Sequence, residues 1–168
     1  MDLKDKLGGG DLRSIGEANN VVDEIGSQDE FDALFNCLHE KERLIVMRAA
    51  DAIEKITLSH PEYLSRHKEE IINFCLSEIN IEFKWHLALL LARLTLSATE
   101  RDRVFEILKK WLLNQKESKI VRANALQSLY QLSRQDETLK KEFSLIVGAV
   151  EKENIPSLNA RIRKIKLY

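Results

Sequence analysis

Residues that interrupt helices are scarce in this chain. Its 168 residues include only two prolines and six glycines, and three of those glycines are consecutive, from Gly8 to Gly10. Long apolar runs are also missing. No segment approaches the ~20 apolar residues of a membrane span, and the polar residues 1–6 are not followed by the apolar run of a secretory signal. The sequence therefore predicts a cytoplasmic protein that makes no contact with a membrane.

An internal repeat of apolar residues is present instead. The stretch Ile45–Ile56 recurs in hydrophobic outline at Phe83–Leu94 and Val121–Leu132, at intervals of 38 residues, and more faintly from Leu158, 37 residues further on. This interval is typical of two-helix repeat units. One such unit cannot bury its apolar stripe alone, whereas stacked neighbours form a continuous core. We expect an all-α solenoid of about four helix pairs, with the first pair incomplete.

Apolar periodicity and capping residues predict where the helices lie. Ser27 and Glu30 have the spacing of a capping box, which opens a helix that faces inward with Phe31, Leu34, Phe35 and Leu38. The other helices are expected at about residues 12–25, 45–56, 66–76, 82–95, 99–112, 119–132, 137–150 and 157–167. Residues 1–10 are predicted to be a flexible polar leader with a Gly-Gly-Gly hinge, and residues 11–168 a single domain.

Cysteine chemistry is nearly absent. Cys37 and Cys75 are 38 residues apart, so they occupy the same position in successive repeats. Stacked helices lie ~8–10 Å apart, which exceeds the ~4.4–6.8 Å between the Cα atoms of most disulfides. We expect both cysteines to be small buried side chains in a reducing compartment. The sequence contains no Cys-x-x-Cys pair and its four histidines are scattered, so it predicts no metal and no cofactor.

The net charge of −1 hides an asymmetry along the chain. Residues 1–100 hold 11 basic and 19 acidic side chains, whereas residues 101–168 hold 15 and 8. In a solenoid, sequence order is also spatial order. The resulting dipole could favour head-to-tail self-association or an acidic partner at the basic end. Charge that has drifted on solvated faces would give the same pattern.

The residues of the repeat resemble a known family. Met47 to Lys55, Lys84 to Ala88 and Ile120 to Gln127 follow the pattern of the second helix in HEAT repeats of the armadillo-like class, and the resemblance covers residues 12–167. The chain is similar to a group of small bacterial-type HEAT-repeat proteins. This resemblance implies a right-handed α-α superhelix. The family's turn aspartate and following arginine are matched only by Lys84 and Arg122, so a charge ladder between repeats is not expected.

The resemblance also implies that binding occurs on the concave surface, which the second helices line. Among the residues of the motif that point away from the predicted core, the predicted binding residues are Met47, Asp51, Trp85, Leu89, Gln127, Tyr130 and Lys164. The predicted binding residues that flank them are Arg48, His86, Arg93, Asn124 and Arg161. Trp85 and Leu89 lie one helical turn apart and form a candidate anchor for a partner. A structural role for Trp85 against the adjacent repeat is an equal alternative.

Enzymatic alternatives find little support among the residues. Deoxyhypusine hydroxylase, a HEAT-repeat enzyme, binds iron through several His-Glu pairs, and this chain has one, His39-Glu40. Alkylpurine DNA glycosylases of related fold use aromatic, acidic and basic side chains, which Trp85, Tyr130, Asp51, Arg48, Arg93 and Arg161 imitate. The acidic first half argues against duplex binding. We therefore predict a non-enzymatic scaffold for a protein or peptide, with nucleic-acid binding at the basic C-terminal end as the alternative.

Overall fold

The computed structural model describes residues 3–8 and 16–166, apart from the side chains of residues 16–18. Every regular element within these ranges is helical, which confirms the all-α class. The α-helices are α1 Leu3–Gly8, α2 Gly16–Glu24, α3 Gln28–Asn36, α4 Arg43–Ser59, α5 Lys68–Ser77, α6 Ile81–Leu91, α7 Ala98–Leu113, α8 Lys119–Ser133, α9 Glu137–Glu151 and α10 Pro156–Lys166. Two 3₁₀ segments, Cys37–His39 and Pro61–His67, follow α3 and α4.

The chain divides into two compact units, unit 1 at Met1–Lys68 and unit 2 at Glu69–Tyr168. In unit 1, α4 packs against α1, α2 and α3. In unit 2, α8 is central, because it contacts α6, α7, α9 and α10. Helices α6, α8 and α10 carry successive copies of the repeat motif. These second helices of unit 2 are therefore neighbours, with α6 and α10 both packed against α8.

The helices begin where polar side chains satisfy free backbone amides. Ser27 accepts a hydrogen bond from the amide of Glu30, and the Glu30 carboxylate accepts from the amide of Gly26 at 2.9 Å, so the predicted cap of α3 is confirmed. Helix α7 starts earlier than expected. Ser97 and Glu100 form a capping box at its start. This pair is visible in the sequence, but the predicted helix began at Thr99.

The apolar stripe of each second helix is buried as predicted. All six stripe residues of each of the first three copies are at most 7% exposed: Ile45, Ala49, Ala50, Ala52, Ile53, Ile56; Phe83, Leu87, Ala88, Leu90, Leu91, Leu94; Val121, Ala125, Leu126, Ser128, Leu129, Leu132. Phe31, Leu34, Phe35 and Leu38, which are expected to face inward in the helix after Ser27, are buried as well. A period of 3.6 residues is sufficient to identify this core because the stripe is continuous over three turns.

The beginning of the chain differs from the expected loose leader. Leu3–Gly8 is helix α1, which packs against α2 and α4, and Leu7 is fully buried. Arg48 of α4 donates a 2.7 Å hydrogen bond to the carbonyl oxygen of Leu7. Two leucines among charged residues are a weak sequence signal, although the burial of Leu7 attaches residues 3–8 to unit 1. Of the predicted hinge from Gly8 to Gly10, Gly8 ends α1 and the other two glycines lie outside the described residues. The prediction of a single domain stays a prediction.

Candidate interaction surface

Helix α6 combines a buried stripe with two large apolar side chains on its other face. Trp85 and Leu89 are half-buried, whereas Phe83, Leu87 and Leu90 on the same helix are buried completely or nearly so. Trp85 and Leu89 are four residues apart and therefore adjacent on the helix surface. Unit 2 thus presents an indole and a leucine to its surroundings, whereas the other apolar residues of α6 between 83 and 91 form core.

The backbone beneath Trp85 is held by two polar side chains of α8. The Asn124 side-chain amide donates to the carbonyl oxygen of Trp85 at 3.0 Å, and the Ser128 hydroxyl donates to the carbonyl oxygen of Ala88 at 2.6 Å. Asn124 and Ser128 are one helical turn apart and both are buried. Small residues let the two helices approach closely, and the hydrogen bonds fix the register between them. This seam holds the backbone of α6 at Trp85 and Ala88.

The twelve predicted site residues have different environments. Lys164 is exposed, and Met47, Asp51, Trp85, Leu89, Arg93, Gln127, Tyr130 and Arg161 are half-buried. Arg48, His86 and Asn124 are buried, so these three are corrected from surface to interior. Arg48 and Asn124 turn inward because each satisfies a main-chain carbonyl, of Leu7 and Trp85 respectively. Met47, Arg48 and Asp51 belong to unit 1, where Asp51 pairs with Lys55 at 2.7 Å, and the other nine belong to unit 2.

Two inter-repeat ion pairs in unit 2 contradict the expectation that a charge ladder is absent. Lys84 of α6 pairs with Glu117 in the turn before α8, and Arg122 of α8 pairs with Glu153 in the turn before α10. Lys84 and Arg122 occupy the same position of successive repeats. Each basic side chain therefore reaches from one second helix to the start of the next. The two pairs form a ladder of two rungs.

Neighbouring groups complete both rungs. The Lys84 ammonium lies 4.8 Å from the ring centroid of Trp111, which is a favourable cation–π geometry. The Arg122 Nε atom donates to the carbonyl oxygen of Leu112 at 2.7 Å, in the last turn of α7. The sequence interpretation missed the ladder because it required the family's aspartate. Glutamates at 117 and 153, each just before a second helix, were the signal that could have revealed it.

A polar pocket of about 240 Å³ lies beside the first rung, lined by Lys84, Trp111, Glu117 and Cys75 among others. Burial raises the pKa of the Cys75 thiol above its ordinary range, and nearby Lys84 offsets this only in part. The thiol therefore stays protonated and is a poor nucleophile or ligand. Cys37 and Cys75 are both buried, as the sequence predicted.

Unit 1 contains a polar cluster centred on Asp32. Its carboxylate accepts hydrogen bonds from Gln28 at 2.7 Å and from Arg66 at 2.8 Å, and one oxygen lies 2.7 Å from His67 Nε2. The His67 ring stacks on Phe35 with centroids 3.8 Å apart. Partial desolvation alone would raise the pKa of Asp32, but the hydrogen bonds from Gln28, His67 and Arg66 outweigh it and lower that pKa to about 2. The cluster joins α3 to the segment Pro61–His67.

Two further features of residues 3–8 and 16–166 concern metal binding and membranes. No group of three or more His, Cys, Asp or Glu side chains in these ranges has an arrangement that could hold a metal ion. In the same ranges, no helix is both long enough and apolar enough to cross a membrane.

The fold and the surface together define an all-α helical-repeat protein, in which second helices pack in succession and ion pairs join one repeat to the next. The chain matches the HEAT repeat domain over residues 3–167 and belongs to that family. The predicted class, helix pairs of the HEAT-repeat kind, is thereby confirmed. The chain matches no curated protein and no solved structure. The similarity to a bacterial-type group stays a prediction.

Proposed function

We propose that this chain is a non-enzymatic scaffold that binds a protein or peptide through α6 and α8, with Trp85 and Leu89 as the anchors. HEAT repeats are commonly protein-interaction scaffolds. The observation that carries the proposal is the half-buried pair Trp85 and Leu89 on α6, whose other apolar residues between 83 and 91 form core. Tryptophan is enriched at the centres of interfaces, where it contributes a large share of the binding energy.

Rigidity of the surface supports the same proposal. Asn124 and Ser128 hold the backbone of α6 at Trp85 and Ala88, so little backbone conformational entropy is lost there on binding. Gln127 and Tyr130 on α8 are half-buried and extend the proposed surface beyond α6. The proposed surface is restricted to unit 2, and the buried His86 and Asn124 support it from below.

Local ion pairing favours a protein partner over a nucleic acid. Several cations of the basic C-terminal half are already paired. Arg122 pairs with Glu153, and Lys109 donates to Glu106 at 2.5 Å and to Glu142 at 2.7 Å, contacts that raise the pKa of Lys109. Such pairs reduce the positive charge that phosphate groups would meet. Nucleic-acid binding is therefore kept as the alternative, and the capture experiment below distinguishes it from protein binding.

The test is affinity capture from a cell lysate with three baits, with and without nuclease. The baits are the wild type, the double variant Trp85→Ala with Leu89→Ala, and a control, Ile79→Ala with Leu145→Ala, which removes two exposed apolar side chains elsewhere in unit 2. We expect a protein that is retained by the wild type and the control, lost by the double variant, and insensitive to nuclease.

Stability measurements on the same variants separate a binding anchor from a core residue. If Trp85 is a surface anchor, Trp85→Ala changes the free energy of unfolding by less than about 1 kcal/mol, whereas truncating a core tryptophan costs about 3–5 kcal/mol. A loss in the larger range refutes the anchor. Retention of nuclease-sensitive nucleic acid by all three baits supports the alternative function instead.

A further inference from the structure

A second concave feature lies in the last repeat, away from Trp85. A cleft of about 300 Å³ opens between α8, α9 and α10. Its apolar lining comes mainly from Phe143, Val147, Ile162 and Ile165, each of which is almost wholly buried by its neighbours. We call this feature the terminal cleft. Its volume lies at the lower end of the ~300–1,000 Å³ typical of ligand pockets, which suits one large side chain.

Small residues leave the terminal cleft open. Ser133 of α8 and Ser144 of α9 line it beside much larger apolar neighbours. The Ser133 hydroxyl donates to the carbonyl oxygen of Tyr130 at 2.8 Å, so its proton is already used within α8. The interior of the cleft therefore offers an apolar surface with little competing demand for hydrogen bonds, and a buried apolar side chain would be favoured there.

The rim of the cleft is positively charged. Arg134, Lys140 and Lys166 are exposed and line the cleft, and none of the described lining residues is acidic. Two of these cations have carboxylate partners that do not line the cleft: Lys140 is 3.5 Å from Glu137, and Lys166 is 2.6 Å from Glu151. Exposed pairs of this kind contribute little free energy, so the ammonium groups can exchange to the carboxylates of a partner at small cost.

We infer that the terminal cleft is a docking site for an acidic peptide that inserts one large apolar side chain between α8, α9 and α10. The apolar interior selects the inserted side chain, and the three rim cations select acidic residues on either side of it. The inference rests on the cleft alone. It stands or falls independently of the surface at Trp85 and Leu89.

The first test is selection from a displayed library of random twelve-residue peptides. Selection uses the wild type, with depletion on the variant Ser144→Trp, whose indole would fill the cleft from an exposed position of α9. Circular dichroism checks that this variant keeps its helices. We expect enriched peptides to share one large apolar residue flanked by Asp or Glu. Enrichment of basic or uncharged peptides, or of none, would overturn the inference.

The second test measures the affinity of an enriched peptide by fluorescence anisotropy. Arg134→Glu with Lys140→Glu reverses two rim charges, and we expect it to weaken binding by about tenfold or more. The matched control, Arg163→Glu with Lys164→Glu, makes the same charge change at exposed positions of α10 that do not line the cleft. We expect the control to bind nearly as the wild type does. Equal weakening by both variants would show a general charge effect and refute the site.

Further outcomes separate the peptide from other occupants of the cleft. Binding that appears only after residues 167 and 168 are removed would show that the end of this chain covers the cleft, and concentration-dependent dimers abolished by Ser144→Trp would assign it to a second copy. Either result would overturn the inference. The variant Trp85→Ala with Leu89→Ala should bind the peptide as the wild type does, so failure of the proposed function and failure of this inference are distinguishable.

Discussion

The Nη2 atom of Arg122 donates to both carboxylate oxygens of Glu153, at 2.8 Å each, across the step from one repeat to the next. The Arg122 side chain is 1% exposed and that of Glu153 is 15% exposed. The Nε atom of Arg122 donates separately to the carbonyl oxygen of Leu112. One guanidinium therefore joins α8 to the last turn of α7 and to the turn before α10. Such a contact specifies how successive repeats stack.

Removing the guanidinium should destabilise unit 2 strongly. We expect Arg122→Met to lower the free energy of unfolding by about 3–5 kcal/mol, because Glu153 and the Leu112 carbonyl lose their partner in a largely buried position. Arg122→Lys should not restore stability, since one ammonium does not match the planar fork that serves both acceptors. Urea unfolding followed by tryptophan fluorescence measures this, as Trp85 and Trp111 are the two tryptophans of the chain and both lie in unit 2.

The matched control is Arg163→Met, which removes an exposed arginine of α10 and should change stability by no more than about 0.5 kcal/mol. The double variant Arg122→Met with Glu153→Leu should recover part of the loss, because no charge is then left without its partner. A cost for Arg122→Met as small as that of the control would show that the ladder has no structural importance.

Helix α1 should contribute to the stability of unit 1. We expect Leu7→Ala to lower the free energy of unfolding by about 2 kcal/mol or more, because Leu7 is fully buried and its loss leaves a cavity. Leu58→Ala, which truncates a leucine that is 70% exposed in the same unit, is the control and should have little effect. Urea unfolding followed by circular dichroism compares the two. Equal, small effects would restore the original expectation of a loosely attached leader.

Acid should weaken unit 1 through Asp32. The pKa of Asp32 is lowered from 3.8 to about 2 in the folded protein, so its carboxylate stabilises the fold above pH 3.8, and this contribution disappears as the pH falls through about 2. Asp32→Asn should lower stability by ~1–2 kcal/mol at pH 5, and the difference from the wild type should shrink toward pH 2.

Asp29→Asn is the control for that experiment. The Asp29 carboxylate lies 3.5 Å from the same Arg66, but its side chain is 94% exposed, so its removal should matter little at any pH. Unfolding in urea at several pH values between 5 and 2 would compare the three proteins. A constant difference between wild type and Asp32→Asn over that range would contradict the assigned role of the carboxylate.

Apolar positions of the candidate surface could be predicted from the sequence, whereas the orientation of its polar side chains could not. The half-buried pair Trp85 and Leu89 was predictable because core and surface alternate with the helical period. The inward orientation of Arg48 and Asn124 was not predictable. A polar side chain beside the stripe turns inward only where a main-chain carbonyl can accept its hydrogen bond. Those carbonyls belong to Leu7 and Trp85, which lie 41 and 39 residues away in the chain.

The sequence by itself determined the helices, their repeat and the buried stripe, because apolar periodicity and caps such as Ser27 depend on residues a few positions apart. Only the tertiary structure decided which polar groups meet. The pairs Lys84–Glu117 and Arg122–Glu153, the burial of Leu7, and the terminal cleft among α8, α9 and α10 all arise from distances between separate helices. Long-range contacts of this kind depend on how the helices pack. The residues near each position in the chain do not determine the distance between two helices.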